Sequence, residues 1–245
     1  RCEEFDLFRK NVEYFSLDQA ALITGVPPNA IRQAAEIFAA AKSGVVVFGM
    51  GITQHTTGVD NVKSIANLLM MTGNMGRKGT GFSPLRGQNN VQGACDMGAL
   101  PNVYPGYQRI DEPMVQLKFA EAWKVDLNNR KGLPLTDMIT AANHRQLQAM
   151  YVVGENPLMS EPNLKHTRQA MEKLRFLAVQ DIFLTETAML ADVVLPAASF
   201  AEKSGTFTNT ERRVQLVRQA LEPVGTAMPD WQIIAELSSR MGYEM

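Results

Sequence analysis

Residues 147–157 read Leu147-Gln148-Ala149-Met150-Tyr151-Val152-Val153-Gly154-Glu155-Asn156-Pro157, an apolar run that stops on a glycine and a polar turn. The run predicts a strand, and the segments after it fix its meaning. A helix is expected over about Pro162 to Leu174, a second strand over Phe176 to Val179 closed by Gln180-Asp181, a short helix over Ala188 to Ala191, and a third strand over Val193 to Leu195 stopped by Pro196. Strands separated by helices predict an α/β fold, with doubly wound, Rossmann-like parallel sheets and flanking helices. Ligands of such sheets gather beyond the carboxyl ends of the strands. Gly154, Glu155, Asn156, Gln180 and Asp181 all fall at such ends, where a carboxylate can accept from ribose hydroxyls or guanine N–H groups. No Gly-x-Gly-x-x-Gly precedes a helix, which argues against an ordinary NAD fold.

A similar rhythm occurs upstream. Ser16 with Gln19 predicts a capping box, opening a short helix that Gly25 and Pro27-Pro28 end. From about Asn29 to Ala41 the residues Ile31, Ala34, Ala35, Phe38 and Ala41 keep helical spacing, with Gly44 placed as a C-terminal cap. Val45-Val46-Val47-Phe48 then predicts a buried parallel strand, the glycine turn Gly49 to Gln54 follows it, and Val59, Val62, Ile65, Leu68 and Leu69 mark a helix ending at Gly73. Gly73, Gly76, Gly79 and Gly81 punctuate a long connection into the next motif. Further on, helices are expected over Met114 to Trp123 and Leu135 to Ala142, with a turn over Asn128 to Pro134 between them. After the three strands, Ser204 to Asn209 reads as turn, Arg213 to Val217 as one more strand, and Pro229 as the first position of a final helix. The expected division is 1–88, part of one α/β domain; 89–222, a nucleotide-binding α/β domain; and 223–245, a helical segment.

The bulk numbers exclude several classes. At 245 residues, 45% hydrophobic and 20% charged, the chain has material for a large core. Its net charge of −1 argues against nucleic-acid binding, and leaves any anionic ligand to local groups. Cys2 and Cys95 share no Cys-x-x-Cys spacing, so no self-contained zinc or iron–sulfur site is read and no metal ligand is assigned. No apolar run approaches the roughly 20 residues a membrane span needs, and no secretory signal opens the chain; direct membrane insertion is not expected and a cytoplasmic location is. The first residue is Arg1, and the pattern breaks off between Leu237 and Met245, as expected of an internal piece of a longer polypeptide.

The run Arg86-Gly87-Gln88-Asn89-Asn90-Val91-Gln92-Gly93-Ala94-Cys95-Asp96-Met97-Gly98 gathers amides, glycines and an arginine where a core would want aliphatics. Amides offer donors and acceptors at once, and a guanidinium is a permanent, forked cation suited to a carboxylate or phosphate. His55, beside Gln54 in the glycine turn, reads as a structural hydrogen-bonding residue, and Cys95 as a small buried side chain. Asp192 and Asn209 read as loop braces, Glu211-Arg212-Arg213 as a solvated turn, and the methionines as core fillers.

Taken together, the Arg86 motif, Met50-Gly51-Ile52-Thr53-Gln54, Val153-Gly154-Glu155-Asn156-Pro157, Ala191-Asp192-Val193-Val194-Leu195-Pro196 and Glu202-Lys203-Ser204-Gly205-Thr206-Phe207-Thr208-Asn209 resemble the catalytic subunit of molybdenum- or tungsten-dependent formate dehydrogenases, within the molybdopterin oxidoreductases. The resemblance implies a bis-molybdopterin guanine dinucleotide cofactor, a 4Fe-4S cluster held outside this stretch, formate as substrate, and electron-transfer subunits with iron–sulfur or flavin centres. It implies that Arg86 orients the formate carboxylate with Gln88 beside it, and that Met50 and Gln54 lie near pterin or substrate. It also implies that Gly154, Glu155, Asn156, Gln180 and Asp181 hold the guanosine, with Ser199 and Asp230 as further contacts. The stretch by itself is expected to be inactive. Alternatives are a cofactor-free pterin-domain relic of an NADH dehydrogenase large subunit, which leaves Arg86 and Gln88 without a purpose, and a non-enzymatic nucleotide-binding module.

Overall fold

The computed structural model describes residues 3–243; Cys2 and the last residues of the terminal pattern lie outside them. The chain folds as two compact units, Arg1–Gln88 and Asn89–Met245, so that residues 223–245 fall in the second.

The first unit begins with α1 (Phe5–Val12), α2 (Leu17–Thr24) and α3 (Pro28–Ala40), followed by β1 (Val45–Phe48), α4 (Met50–Thr53), α5 (Gly58–Met71) and β2 (Gly81–Pro84). The capping box at α2 is present: Gln19 N–H donates to Ser16 Oγ over 3.2 Å and Ser16 N–H to Gln19 Oε1 over 3.3 Å. Gly44 is not a helix cap. Helix α3 closes at the extended Ala41, while Gly44 N–H donates to the buried Asn74 Oδ1 at 2.8 Å and the Phe38 ring packs against its α-carbon. Strand β1 departs from the expected burial, with Phe48 inside and Val45 and Val47 exposed. It pairs in parallel with β2, Val45 opposite Gly81 through Phe48 opposite Pro84, across the connection α4–α5. The sequence reads β2 as connection because Gly-Phe-Ser-Pro carries no apolar period; a distant backbone makes it a strand. The expected glycine turn after β1 is wound into α4.

The second unit holds α6 (Val91–Asp96), the antiparallel pair β3 (Val103–Tyr104) and β4 (Gln108–Arg109), α7 (Pro113–Trp123), α8 (Leu135–Asn143), β5 (Ala149–Val153), α9 (Pro157–Ser160), α10 (Leu164–Met171) and β6 (Phe176–Asp181). A 3-10 turn (Ala188–Leu190), β7 (Val193–Pro196), a second 3-10 turn (Phe200–Glu202), β8 (Gly205–Thr208), β9 (Val214–Val217) and α11 (Asp230–Arg240) complete it. Strands β5, β6 and β7 form one parallel sheet in chain order, with helical connections between them. Its core joins Ile139 and Ala142 of α8, Val152 of β5, Ala170 and Met171 of α10, and Leu177 and Val179 of β6. A separate aromatic cluster stacks Tyr104 on Phe119 at 4.6 Å, with Trp123 set edge-on to Tyr104. Ser204 to Asn209 is not simply turn: Gly205 to Thr208 is β8, antiparallel to β9, and the turn begins at Asn209, whose Oδ1 accepts from Arg213 N–H at 2.9 Å. Pro229 caps α11 rather than occupying its first turn. A parallel bridge from Ala197 to Met228, with Ala198 N–H donating to Met228 O at 2.8 Å, brings the start of α11 to the end of β7. Among the described residues no helix is long and apolar enough to cross a membrane.

Candidate functional site

In each unit the parallel strands run in one direction, so their carboxyl ends open on one edge. In the first, α4 leaves the end of β1 and the Arg86 loop leaves the end of β2; Leu85 N–H donating to Phe48 O at 2.7 Å holds the two exits side by side. Met50, Gln54, Arg86 and Gln88 therefore share one edge, all exposed to solvent. His55 behaves as read, its Nε2 hydrogen-bonded to Gly51 O at 2.9 Å.

The rest of the Arg86 motif, in the second unit, is spent on structure. Asn90, in the left-handed conformation at φ 60°, starts α6 and accepts Thr208 N–H from β8 at 2.9 Å. Gln92 is buried, donating to Asp96 Oδ1 at 2.8 Å, and Cys95 is buried on the same helix. Asn90 thus ties the start of α6 to β8, while Gln92 braces the helix internally and also donates to the Tyr107 hydroxyl at 3.3 Å.

At the carboxyl edge of the β5–β6–β7 sheet, Gly154 takes φ 63° with open space where a Cβ would point. Its backbone is thus open to a ligand, and a side chain there would strain it. Glu155 is exposed, its Oε1 accepting from Ser160 Oγ at 2.8 Å. Asn156 is occupied within the protein: Oδ1 accepts from Thr187 Oγ1 at 2.7 Å and Nδ2 donates to Glu186 Oε2 at 2.8 Å. That amide holds the Glu186 carboxyl below its ordinary range, and ties the exit of β5 to the segment after β6.

Gln180, the penultimate residue of β6, is fully buried at 0% exposure. Its Oε1 accepts from the Tyr151 hydroxyl, and its Nε2 donates to Asp230 Oδ1 at 2.6 Å. Asp230 Oδ2 in turn pairs with Lys203 Nζ, which also donates to Ala198 O at 3.2 Å. Burial first, and then the Asp230 charge, push the Tyr151 phenol above its ordinary value, keeping it a neutral donor. Asp181 ends the strand half-buried, its Oδ1 accepting the amide hydrogens of Ile182 at 2.7 Å and Phe183 at 3.4 Å. Ser199 and Glu202 form a reciprocal cap: Ser199 N–H donates to Glu202 Oε2 at 2.7 Å, and the Ser199 side chain accepts from Glu202 N–H.

The structure thus brings Gly154, Glu155, Asn156, Gln180, Asp181 and Asp230 to one edge, with Ser199 on the chain leaving β7. Tyr151 and Lys203, neither named as a site residue from sequence, join them. Lys203 could have been found, since it stands in the quoted Glu202–Asn209 motif; Tyr151 carried no signal within its strand. Among the described residues no group of three or more His, Cys, Asp and Glu side chains gathers as a metal site.

Residues 8–240 match the Molybdopterin oxidoreductase family. The F420-dependent formate dehydrogenase subunit alpha of Methanocaldococcus jannaschii is 51% identical over 243 residues, which is 99% of this chain and 36% of that protein. Formate dehydrogenase H of Escherichia coli is 46% identical over 246 residues, 100% of this chain and 34% of that protein. The chain therefore spans about a third of the length of the curated relatives it matches. Among solved structures, acetylene hydratase from Pelobacter acetylenicus superposes with a TM-score of 0.72 over 99% of this chain and 36% of that one at 22% identity, a likeness of fold. Because the family match runs through both units and takes in both strand edges, the chain belongs to the molybdopterin oxidoreductase family.

Proposed function

We propose that this chain is part of the large subunit of a formate dehydrogenase that converts formate to carbon dioxide, a proton and two electrons. The observation that carries the reading is identity near one half to formate dehydrogenase alpha subunits across 99% of the chain. The residues present suit the nucleotide end of a molybdopterin guanine dinucleotide. Gly154 offers open backbone, and Glu155, Asp181 and Asp230 offer carboxylate acceptors for guanine N–H groups or ribose hydroxyls. When bound, the cofactor with molybdenum or tungsten supplies the two-electron chemistry that side chains lack.

The remaining work belongs to the chain. The Arg86 guanidinium pairs with the formate carboxylate through two parallel hydrogen bonds, fixing substrate orientation as well as charge. Gln88 and Gln54, on the same strand edge, supply neutral donors and acceptors around it, and Met50 gives an apolar wall. In the second unit Asp181 and Asp230 orient the nucleotide, while Asn156 and Gln180 hold the loops that present them. In the parent enzyme a 4Fe-4S cluster held outside this stretch would supply the electron outlet toward iron–sulfur or flavin subunits, and the parent would work in the cytoplasm.

Formate-dependent reduction of a viologen dye by the full-length parent, with molybdenum, tungsten and pterin assayed in the same preparation, tests the reading. Formate-driven reduction with metal and pterin bound is expected. Pterin and metal without formate activity would place the parent elsewhere in the family, and absence of both would leave a nucleotide-binding or structural relic. Arg86→Ala is expected to cut kcat/KM for formate by roughly 10–100-fold, the worth of a charge-assisted pair, at unchanged pterin content. Full turnover in that variant would remove Arg86 from the substrate.

A further inference from the structure

The Lys203 ammonium is one of two groups that fix the Asp230 carboxylate. A free lysine has wide rotamer freedom, and here that freedom is given up for two contacts, Asp230 Oδ2 and Ala198 O. From the other side Gln180 Nε2 reaches Asp230 Oδ1 at 2.6 Å, itself oriented by the Tyr151 hydroxyl. The carboxylate plane is therefore set by one donor on each oxygen. A carboxylate has about four acceptor sites, so each oxygen keeps one in reserve. The Asp230 side chain is 36% exposed, against 20% for Lys203, so the reserve sites have an open side. Two acceptor sites held side by side match a fork of two N–H donors or a vicinal diol, the donors that a guanine edge or a ribose presents.

We propose that Lys203 is a positioning residue for the nucleotide end of the cofactor, acting through Asp230 by holding its carboxylate as a preset pair of acceptors. This rests on the nucleotide reading of the β5–β6–β7 edge. Lys203 touches neither base nor ribose. Its effect is to spare the nucleotide the cost of ordering the carboxylate when it binds.

The test uses the full-length parent with Lys203→Met, Lys203→Arg and Asp230→Asn, following the rate of pterin loss during prolonged dialysis and the melting temperature. Lys203→Met is expected to release pterin about five- to tenfold faster, as loss of an ordering contact near 1 kcal/mol implies, with the melting temperature little changed. Lys203→Arg, which still donates to Asp230, is expected to stay within about twofold of the unaltered protein, a rescue that a merely space-filling lysine would not give. If Lys203→Met does not fold, Lys203→Gln, uncharged and still polar, takes its place with the same expected direction. Pterin retained in the lysine variant but lost in Asp230→Asn overturns the positioning role and leaves the nucleotide reading standing. Retention in both overturns the nucleotide reading itself, and an arginine variant as leaky as the methionine one overturns the role of charge.

Discussion

Asp181 does two jobs with one side chain. Its Oδ1 accepts the amide hydrogens of Ile182 and Phe183, which shapes the turn leaving β6, and its charge stands at the strand end where a nucleotide is proposed. The two jobs separate by substitution. Asparagine keeps a side-chain oxygen for the turn and removes the charge, whereas alanine removes both. Pterin retention in the parent is expected to fall roughly tenfold or more in Asp181→Ala and Asp181→Asn alike, as loss of a hydrogen bond to a charged group implies. Only the alanine variant is expected also to lose turn stability, by about 0.5–1.5 kcal/mol. Unchanged pterin load in both variants would remove Asp181 from the nucleotide. By contrast Asn156 and Gln180 have both ends of their amides occupied, so their substitution is read first as damage to the loops.

The helical connection between β1 and β2 depends on how closely α4 and α5 can approach. A Cβ at Gly58, the buried first residue of α5, would stand 2.1 Å from Thr53 O, a backbone atom that cannot swing aside. Gly58→Ala is expected to cost about 1–3 kcal/mol as overpacking, each kcal/mol lowering the melting temperature by roughly 2–4 °C. An unshifted melt would show that the connection can spread at no cost. The Phe200–Glu202 turn carries a pH dependence instead. The Ser199 backbone N–H, then its side chain, and the Val224 N–H hold the Glu202 carboxyl below its ordinary value of 4.5. A lowered folded value means stability present above the unfolded value and lost as pH falls through the folded one. The denaturation midpoint is therefore expected to fall more steeply below about pH 4.5 in the unaltered protein than in Glu202→Gln; parallel curves would refute it. These elements also mark what the sequence could tell. Leu147 to Val153 and Phe176 to Val179 were legible because continuous apolar runs between turns have few other uses. Strands β2 and β8, Gly-Phe-Ser-Pro and Gly-Thr-Phe-Thr, were not, because short glycine-led segments take their extended form from a partner strand. At the site, Gly154 and Asp181 were legible from position alone, each next to the end of an apolar run. The tie from Gln180 to Asp230 crosses 50 residues and that from Lys203 to Asp230 crosses 27, distances over which no local spacing carries information.

Each unit presents one kind of chemistry at the carboxyl edge of its parallel strands. The first offers a guanidinium and amides, at Arg86, Gln54 and Gln88; the second offers carboxylates, at Glu155, Asp181 and Asp230. The net charge of −1 gives this stretch no strong overall attraction for anions, so under the proposed function formate and a phosphorylated cofactor would be selected by these local groups. The proposed function makes substrate orientation and cofactor retention separable tasks, and a double variant in the full-length parent tests that separation. Effects at sites that act on different ligands add, whereas groups that share a partner couple. Arg86→Ala combined with Asp181→Ala is expected to retain pterin as poorly as Asp181→Ala alone, and to turn over formate per bound metal as slowly as Arg86→Ala alone. The coupling between the two effects is expected to stay within about 0.5 kcal/mol. Coupling of about 1 kcal/mol or more in turnover per bound metal would mean that the nucleotide edge also sets the reacting geometry around the substrate, and the assignment of separate tasks to the two edges would fall.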